Sequence, residues 1–294
     1  MAVTIDRAAQ KTFENNVRHT AQQIESALRR LCVEKSGPTA SHSFKITGTR
    51  SLSNVAKTRR QATPINDQVW ANRVAIPAPF DDGEAIDGED VAKMVIDPTS
   101  TVVTSMGYAV KRKYDDIIIG AITANALDEE QNVNVFPAAQ YFDGSGSYTD
   151  RISLKTLTGI RNKFSRNEVP DEEEKFMVLG PNQIEQLLHE TKIGSADYNT
   201  IKPLENGKLV RFAGLSLVPS NRLLHPNGAG SIDCPVFTRK AFGLLVIEDL
   251  FARVAEDPSL SFATRAYVRI NAGAVRIQDE QVVVARLNDT VSIA

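Results

Sequence analysis

The chain has 294 residues, 42% of them hydrophobic and 24% charged, with a formal net charge of -2 at pH 7. That length allows one large domain or two modest ones with a packed core, and the charge balance does not point to a basic nucleic-acid binder, local patches aside. No apolar run approaches about 18 residues and the N-terminus lacks a basic segment followed by an apolar one, so neither a membrane span nor a secretory signal is expected.

Residues 1–35 are polar, with Phe13, Val17, Ala21, Ile24, Ala27, Leu28 and Leu31 at helical spacing. That is too little apolar surface for a core. The segment reads as an arm whose apolar stripe lies on something else, such as another subunit. Gly37 and Pro38 then open a short alternating stretch at Phe44, Ile46 and Thr47. A second runs through Trp70, Asn72, Val74 and Ile76. Two weak strands joined by a polar, basic tip predict a long hairpin. A two-stranded ribbon is marginal alone in water, so it also needs a partner surface. Residues 81–90, DDGEAIDGED, read as an acidic loop.

The block from Ile96 to Asn125 reads as one long amphipathic helix. Asp97 suits the N-cap, and Pro98 suits the first helical position, where a missing N–H costs nothing. Val103, Met106, Val110, Tyr114, Ile117, Ile118, Ala121 and Ile122 form the apolar stripe, with Lys111, Arg112, Lys113, Asp115 and Asp116 between. At 1.5 Å per residue, about 28 residues span roughly 42 Å, the length of a scaffold element. Residues 126–150 read as loop, with DGSGSYTD as its flexible end.

A second helix is expected from Ser153, with Leu154, Leu157, Ile160 and Phe164 on one face. Phe176 to Leu179 reads as a short buried strand, and Pro181 opens a helix with Ile184, Leu187 and Leu188 inward. From 203 to 250, apolar runs at Leu209–Phe212, Leu215–Val218, Val236–Thr238 and Gly243–Ile247 suggest a compact α+β subdomain. Thr264 to Ile270 alternates, and Val275–Ile277 and Val282–Leu287 follow as antiparallel strands, one of them able to face the long helix.

Little in the chain points to chemistry. Asp81, Asp82, Glu84, Asp87, Glu89 and Asp90 can supply oxygen ligands to a divalent cation, but they miss the EF-hand spacing. A solvated or intersubunit acidic loop is the plainer reading, and no metal is expected. Lys57, Arg59 and Arg60 suit either phosphate or a neighbour's carboxylates, and the second is preferred. The histidines His19, His42, His189 and His225 are scattered, without HExxH spacing; His189 lies at a helix end, where a cation suits the dipole. Neither a GxSxG elbow nor a Walker lysine loop occurs, although a triad assembles in space and leaves no fixed spacing. Cys32 and Cys234 show no ligand spacing; free thiols are the plain reading and a disulfide the alternative. Asn288-Asp289-Thr290 fits the glycosylation pattern, which carries no meaning without a signal sequence. No catalytic residue and no cofactor is expected.

The order of segments is more telling. An arm (NVRHTAQQIESALRR) precedes a polar hairpin ending in TPINDQVWANRV, and IDPTS leads into a helix ending DDIIIGAI. A second helix, FMVLGPNQIEQLL and a β-rich C-terminus follow. This resembles the major capsid proteins of tailed bacteriophages with the Hong Kong 97 fold, over nearly the whole chain. The arm and the IDPTS–helix block are the most specific parts; the C-terminal third matches by order and composition. The resemblance implies an α+β fold with an N-terminal arm at 1–40 and an extended E-loop at 41–80. It implies a P-domain at 81–176 with its spine helix at 98–126, an A-domain at 177–250, and strands 251–294 returning to the P-domain.

It further implies pentamers and hexamers closing into an icosahedral shell around double-stranded DNA, with no active site. The virion would be assembled in the bacterial host cytoplasm, with no membrane involved. Portal, scaffold and decoration proteins are the further partners it brings. Intersubunit contacts are expected at Lys57, Arg59, Arg60, Trp70, Asp81, Asp82 and Glu84. Some relatives begin with a removable helical scaffold; here the arm starts close to Met1, so either that segment was removed, which Met1 argues against, or scaffolding is a separate protein. Some relatives crosslink Lys to Asn; Lys57 suits this by position alone, with no supporting motif. The rivals are an encapsulin-like compartment shell, a neck or tail-tube protein, and a metal-assisted hydrolase using the 81–90 acids.

Overall fold

The structure, a computed structural model, describes residues 23–38, 40–50, 67–86, 98–142, 148–189, 204–205, 208–209, 211–228, 230–257, 259 and 263–290. The chain divides into two compact units. One takes Met1–Glu25, Pro79–Lys113 and Glu248–Asn271; the other takes Ser26–Ala78, Tyr114–Ile247 and Ala272–Ala294.

A single 3-10 turn at Arg29–Leu31 leads into strand β1 (Val33–Ser36). Strands β2 (His42–Thr47) and β3 (Trp70–Ala75) form the expected hairpin, antiparallel from His42 opposite Ala75 to Thr47 opposite Trp70. Strand β4 (Ala78–Ile86) follows, then helix α1 (Pro98–Thr123). Its 26 residues span about 39 Å at 1.5 Å per residue. The helix ends three residues before the expected boundary, because Ala126 already belongs to strand β5 (Ala126–Leu127), which pairs with β6 (Val133–Asn134). These join the hairpin in a sheet of order β2-β3-β5-β6. Phe44, Ala75, Ala126, Leu245, Val275 and Ile277 pack together in the core of this second unit.

After β7 (Tyr141–Phe142), helix α2 (Leu154–Arg166) starts where Ser153 accepts a bond from the Thr156 amide and buries Leu157, Ile160 and Phe164. Strand β8 (Lys175–Leu179) and helix α3 (Pro181–Leu188) come next. Of the three residues expected inward on α3, Leu187 is buried and Ile184 half-buried, while Leu188 is exposed. Gln183 takes the inward place, where Asn288 and Asp289 accept from its amide.

The short strands β9 (Leu204–Glu205), β10 (Lys208–Leu209) and β11 (Arg211–Phe212) lead to β12 (Leu215–Pro219) and β13 (Ser231–Thr238). The long strands β14 (Phe242–Asp257) and β15 (Ala263–Arg276) precede the final β16 (Val282–Asn288). A six-stranded sheet runs β11-β12-β8-β13-β16-β7. Its strands β8 and β13 are buried at every position, their polar residues Lys175, Ser231, Asp233 and Thr238 included. The remaining large sheet has the order β1-β14-β15-β4.

In the first unit, β15 turns Ala266 and Val268 onto Met106 of α1, with Val102, Val103 and Val110 alongside. The expected strand facing the long helix is therefore present, and its alternating partner Arg265 points to solvent. The strand does not break where the sequence suggested, between Ile270 and Val275. It runs on through Gly273, where a Cβ would collide with the main-chain oxygen of Ile76. Gly243 is enclosed in the same way, since a Cβ there would sit 2.3 Å from the Phe44 ring.

Candidate intersubunit surfaces

The hairpin base is closed by two bonds. Gly48 donates its N–H to Val69 O at 2.9 Å, and the Gln68 amide donates to Gly48 O at 2.6 Å. Trp70 stands directly beyond this closure and is 66% exposed. Lys57, Arg59 and Arg60 lie outside the described residues, as do Asp87, Glu89, Asp90, Asp97 and His19.

The structure corrects the acidic loop. Asp81, Asp82 and Glu84 are in strand β4, at the edge of the β1-β14-β15-β4 sheet. Asp, Gly and Glu are poor strand formers, which hid the strand, but pairing with β15 overrides propensity. All three carboxylates are exposed, as charges on an edge strand should be. Asp81 accepts from the Tyr267 hydroxyl at 3.3 Å, and Asp82 from the Gly83 amide at 3.0 Å. Beside them lies a groove of about 380 Å³ floored by Met106, Val110, Val268 and Ile270, with Lys113 4.2 Å from the centre of the Phe80 ring. Among the described residues, no group of three or more His, Cys, Asp or Glu is placed to hold a metal ion.

Two buried charges that sequence reading missed hold the second unit together. Asp115, one of the charged residues between the apolar positions of α1, is fully buried. Its carboxylate accepts from Ser26 Oγ at 2.6 Å, Ala27 N at 3.1 Å and Leu28 N at 3.1 Å. It thus fixes the chain just before the Arg29–Leu31 turn, and Arg29 stacks on Tyr114 at 4.7 Å. Arg276, also fully buried, caps the far end of α1. Its Nη1 donates to Ile122 O and Ala124 O, both at 2.8 Å, and Nη2 to Asn134 O at 3.3 Å. Its Nε pairs with Asp279, and the guanidinium stacks on Phe136 at 4.8 Å. The C-terminal end of a helix carries unpaired carbonyls and partial negative charge, so a guanidinium suits this place.

A polar cluster lies where β13 and β16 meet. Tyr148 donates to Asp233 at 2.9 Å, while Arg286 stacks 3.6 Å over Tyr141. Burial pushes the Asp233 carboxyl above the ordinary carboxylate range, and burial beside that acid pushes the Tyr148 hydroxyl up to about 12. His225 Nδ1 lies 2.7 Å from the main-chain oxygen of Ser231, while Ser231 Oγ donates to Gly228 O at 3.0 Å. The serine hydroxyl is thus engaged by a main-chain oxygen, and the imidazole meets the main-chain oxygen of the same serine. His189 caps α3 at the end where a cation suits the dipole. Both cysteines are free and buried, and burial drives the Cys32 thiol up to about 12 and the Cys234 thiol higher, so neither is a nucleophile near neutral pH. No helix among the described residues is long and apolar enough to cross a membrane.

Comparison with known proteins agrees with a structural role. A family model described as phage capsid protein matches residues 5–288. No curated protein sequence matches significantly. Among solved structures, the capsid of the cyanophage P-SCSP1u superposes with a TM-score of 0.73 at 16% identity, covering 97% of this chain and 94% of that one. The capsid of Ralstonia phage GP4 gives 0.72 at 12% identity, covering 100% and 99%. The capsid asymmetric unit of cyanophage Pam1 gives 0.73 at 11% identity, covering 97% and 98%. At such identities the structures speak for the fold, the Hong Kong 97-type α+β capsid fold, and the family model speaks for descent. The chain belongs to the phage capsid protein family, as a major capsid protein forming the shell of the virion.

Proposed function

We propose that copies of the chain join as pentamers and hexamers and close into an icosahedral shell around packaged double-stranded DNA, in the host cytoplasm and without catalysis. The observation that carries this reading is the end-to-end agreement with capsid subunits, 97% to 100% of the chain in the three structures above. Residues 1–40 act as an arm and 41–80 as an extended loop, each lying on a neighbouring subunit. Residues 81–176, with the spine helix Pro98–Thr123, form the peripheral domain; 177–250 form the axial domain; 251–294 return to the periphery. Portal, scaffold and decoration proteins complete the particle.

The basic tip residues Lys57, Arg59 and Arg60 set register against the exposed carboxylates Asp81, Asp82 and Glu84 of a neighbour. Opposite charges on two copies orient association and exclude wrong alignments. Exposed pairs of this kind are screened by salt. The double variant R59E/R60E is therefore expected to assemble poorly at low salt, with D81K/D82K restoring assembly in combination. Light scattering during assembly, at low and high salt, is the measurement. Unchanged assembly of R59E/R60E at both salt levels would remove this contact from the account.

A further inference from the structure

We infer that the solvent face of helix α2 is a contact surface for the phosphate backbone of duplex DNA, a proposal that deepens the shell reading and rests on it. Between Asp150 and Glu168 the chain carries five cations, Arg151, Lys155, Arg161, Lys163 and Arg166, and no acid, although its formal net charge is -2. Among the described helices this one-sided charge is peculiar to α2. Helix α1 mixes Lys111, Arg112 and Lys113 with Asp115 and Asp116, and α3 carries only Glu185. Leu157, Ile160 and Phe164 take the buried side of α2. On the other side Lys155, Asn162 and Arg166 are exposed, at steps of seven and four residues, which places them in one line along the helix. Lys155 and Arg166 stand about 16 Å apart along its axis. Arg161 and Lys163 flank the line, and Arg151 stands just before the N-cap Ser153.

Three observations separate this face from an ordinary solvated one. Among the described residues, no carboxylate forms an ion pair with Arg151, Lys155, Arg161 or Arg166. Elsewhere in the same unit such cations are paired, Arg222 with Asp116 at 3.7 Å and Lys240 with Glu173. Lys155 also lies in the first turn of α2, where the helix end carries partial positive charge and no acid offsets it. Helix stability alone disfavours a cation there. Finally, a hollow of about 480 Å³ opens beside the line, lined by Asn162, Lys163 and Arg166 together with Tyr141 and Phe142. Lys163 donates to Tyr141 O at 2.9 Å and to Ala139 O, which leaves one of its three N–H groups without a partner among the described residues.

Charge complementarity selects a polyanion as the occupant. A basic stripe along a helix is the electrostatic footprint of phosphate binding. Duplex DNA carries one charge per about 1.7 Å of its axis, so the distance from Lys155 to Arg166 faces a stretch with about ten phosphates. A protein partner fits less well. No large apolar side chain is exposed on α2, so the face lacks the central anchor that protein interfaces use. Contacts to phosphate position a duplex without reading its sequence, as an enclosed genome requires. In the shell, the proposal turns the solvent face of α2 toward the lumen.

The test is fluorescence anisotropy of a labelled mixed-sequence duplex of about 30 base pairs, titrated with the purified full-length subunit from about 50 to 200 mM salt. Contacts from three or four cations predict that log K falls with log salt at a slope of about -3 to -3.5. The variant K155Q/R166Q is expected to make that slope shallower by about 2 and to weaken binding at low salt at least about tenfold. Both side chains are exposed, so its thermal unfolding should match wild type. K45Q/K111Q removes the same charge at two exposed positions elsewhere and should keep the wild-type slope. Equal slopes for wild type and K155Q/R166Q would overturn the proposal, as would an equal loss in K45Q/K111Q. Lost assembly of K155Q/R166Q with unchanged DNA binding would also overturn it, and would give the face to an acidic protein surface instead. Equal slopes alongside normal particles in the electron microscope sink this proposal alone. Wild-type subunits that never form particles would instead sink the shell reading, and this proposal with it.

Discussion

Replacing Arg276 with methionine is expected to destabilise the subunit by about 3–5 kcal/mol, the usual result of removing one partner from a buried, hydrogen-bonded charge pair. The loss comes mainly from what the guanidinium leaves behind. Ile122 O, in the buried interior, loses its donor, and the part-buried Ala124 O and Asn134 O lose theirs with it. Each buried polar group left unpaired costs about 1–3 kcal/mol. Asp279 keeps Arg73, whose Nη2 lies 3.5 Å away, so one partner remains for the acid. Lysine at 276 is expected to recover only part of the loss, because a single ammonium lacks the planar fork that reaches three carbonyls and a carboxylate together. Urea unfolding of the R276M and R276K subunits checks this. A midpoint equal to wild type for R276M would show that the cap of the long helix is dispensable.

Asp115 supports the second large effect. With D115A, the donors Ser26 Oγ, Ala27 N and Leu28 N lose one shared charged acceptor. A hydrogen bond to a charged group contributes about 1.5–3 kcal/mol, so the expected loss is at least about 3 kcal/mol. The result should be local as well as global. Amide exchange at Ala27 and Leu28 is expected to rise far more than in strand β13, because the segment before the Arg29–Leu31 turn loses its anchor. D115N separates charge from shape. Its Oδ1 still accepts from Ser26 and Leu28, but an amide nitrogen now faces the Ala27 N–H, donor against donor. The asparagine variant should therefore fall between wild type and alanine. Equal exchange at Ala27 and Leu28 in all three proteins would show that the anchor lies elsewhere.

These two residues also show where the sequence was readable and where it was not. Periodicity located the long helix, its facing strand and the β2–β3 hairpin, because burial repeats at 3.6 or 2 residues whatever the partner. Ser153 and Pro181 announced the starts of α2 and α3 by cap chemistry, which is local. The burial of Asp115 was not legible because it depends on Ser26–Leu28, nearly ninety residues earlier, and a charge between apolar positions looks like a solvated face. Arg276 ends an alternating strand and gave no sign that it reaches the end of α1. Asp81, Asp82 and Glu84 hid a strand because an edge strand gains its order from ladder bonds rather than from its side chains.

The central claim is that this chain builds a closed shell from copies of itself. Negative-stain electron microscopy of the purified recombinant protein, with size-exclusion chromatography alongside, tests it most directly. The account predicts closed particles, or rings of five and six subunits that close when concentration is raised or a scaffolding protein is co-expressed. A chain that stays monomeric at high concentration, across salt conditions and with its neighbouring virion proteins co-expressed, would contradict it.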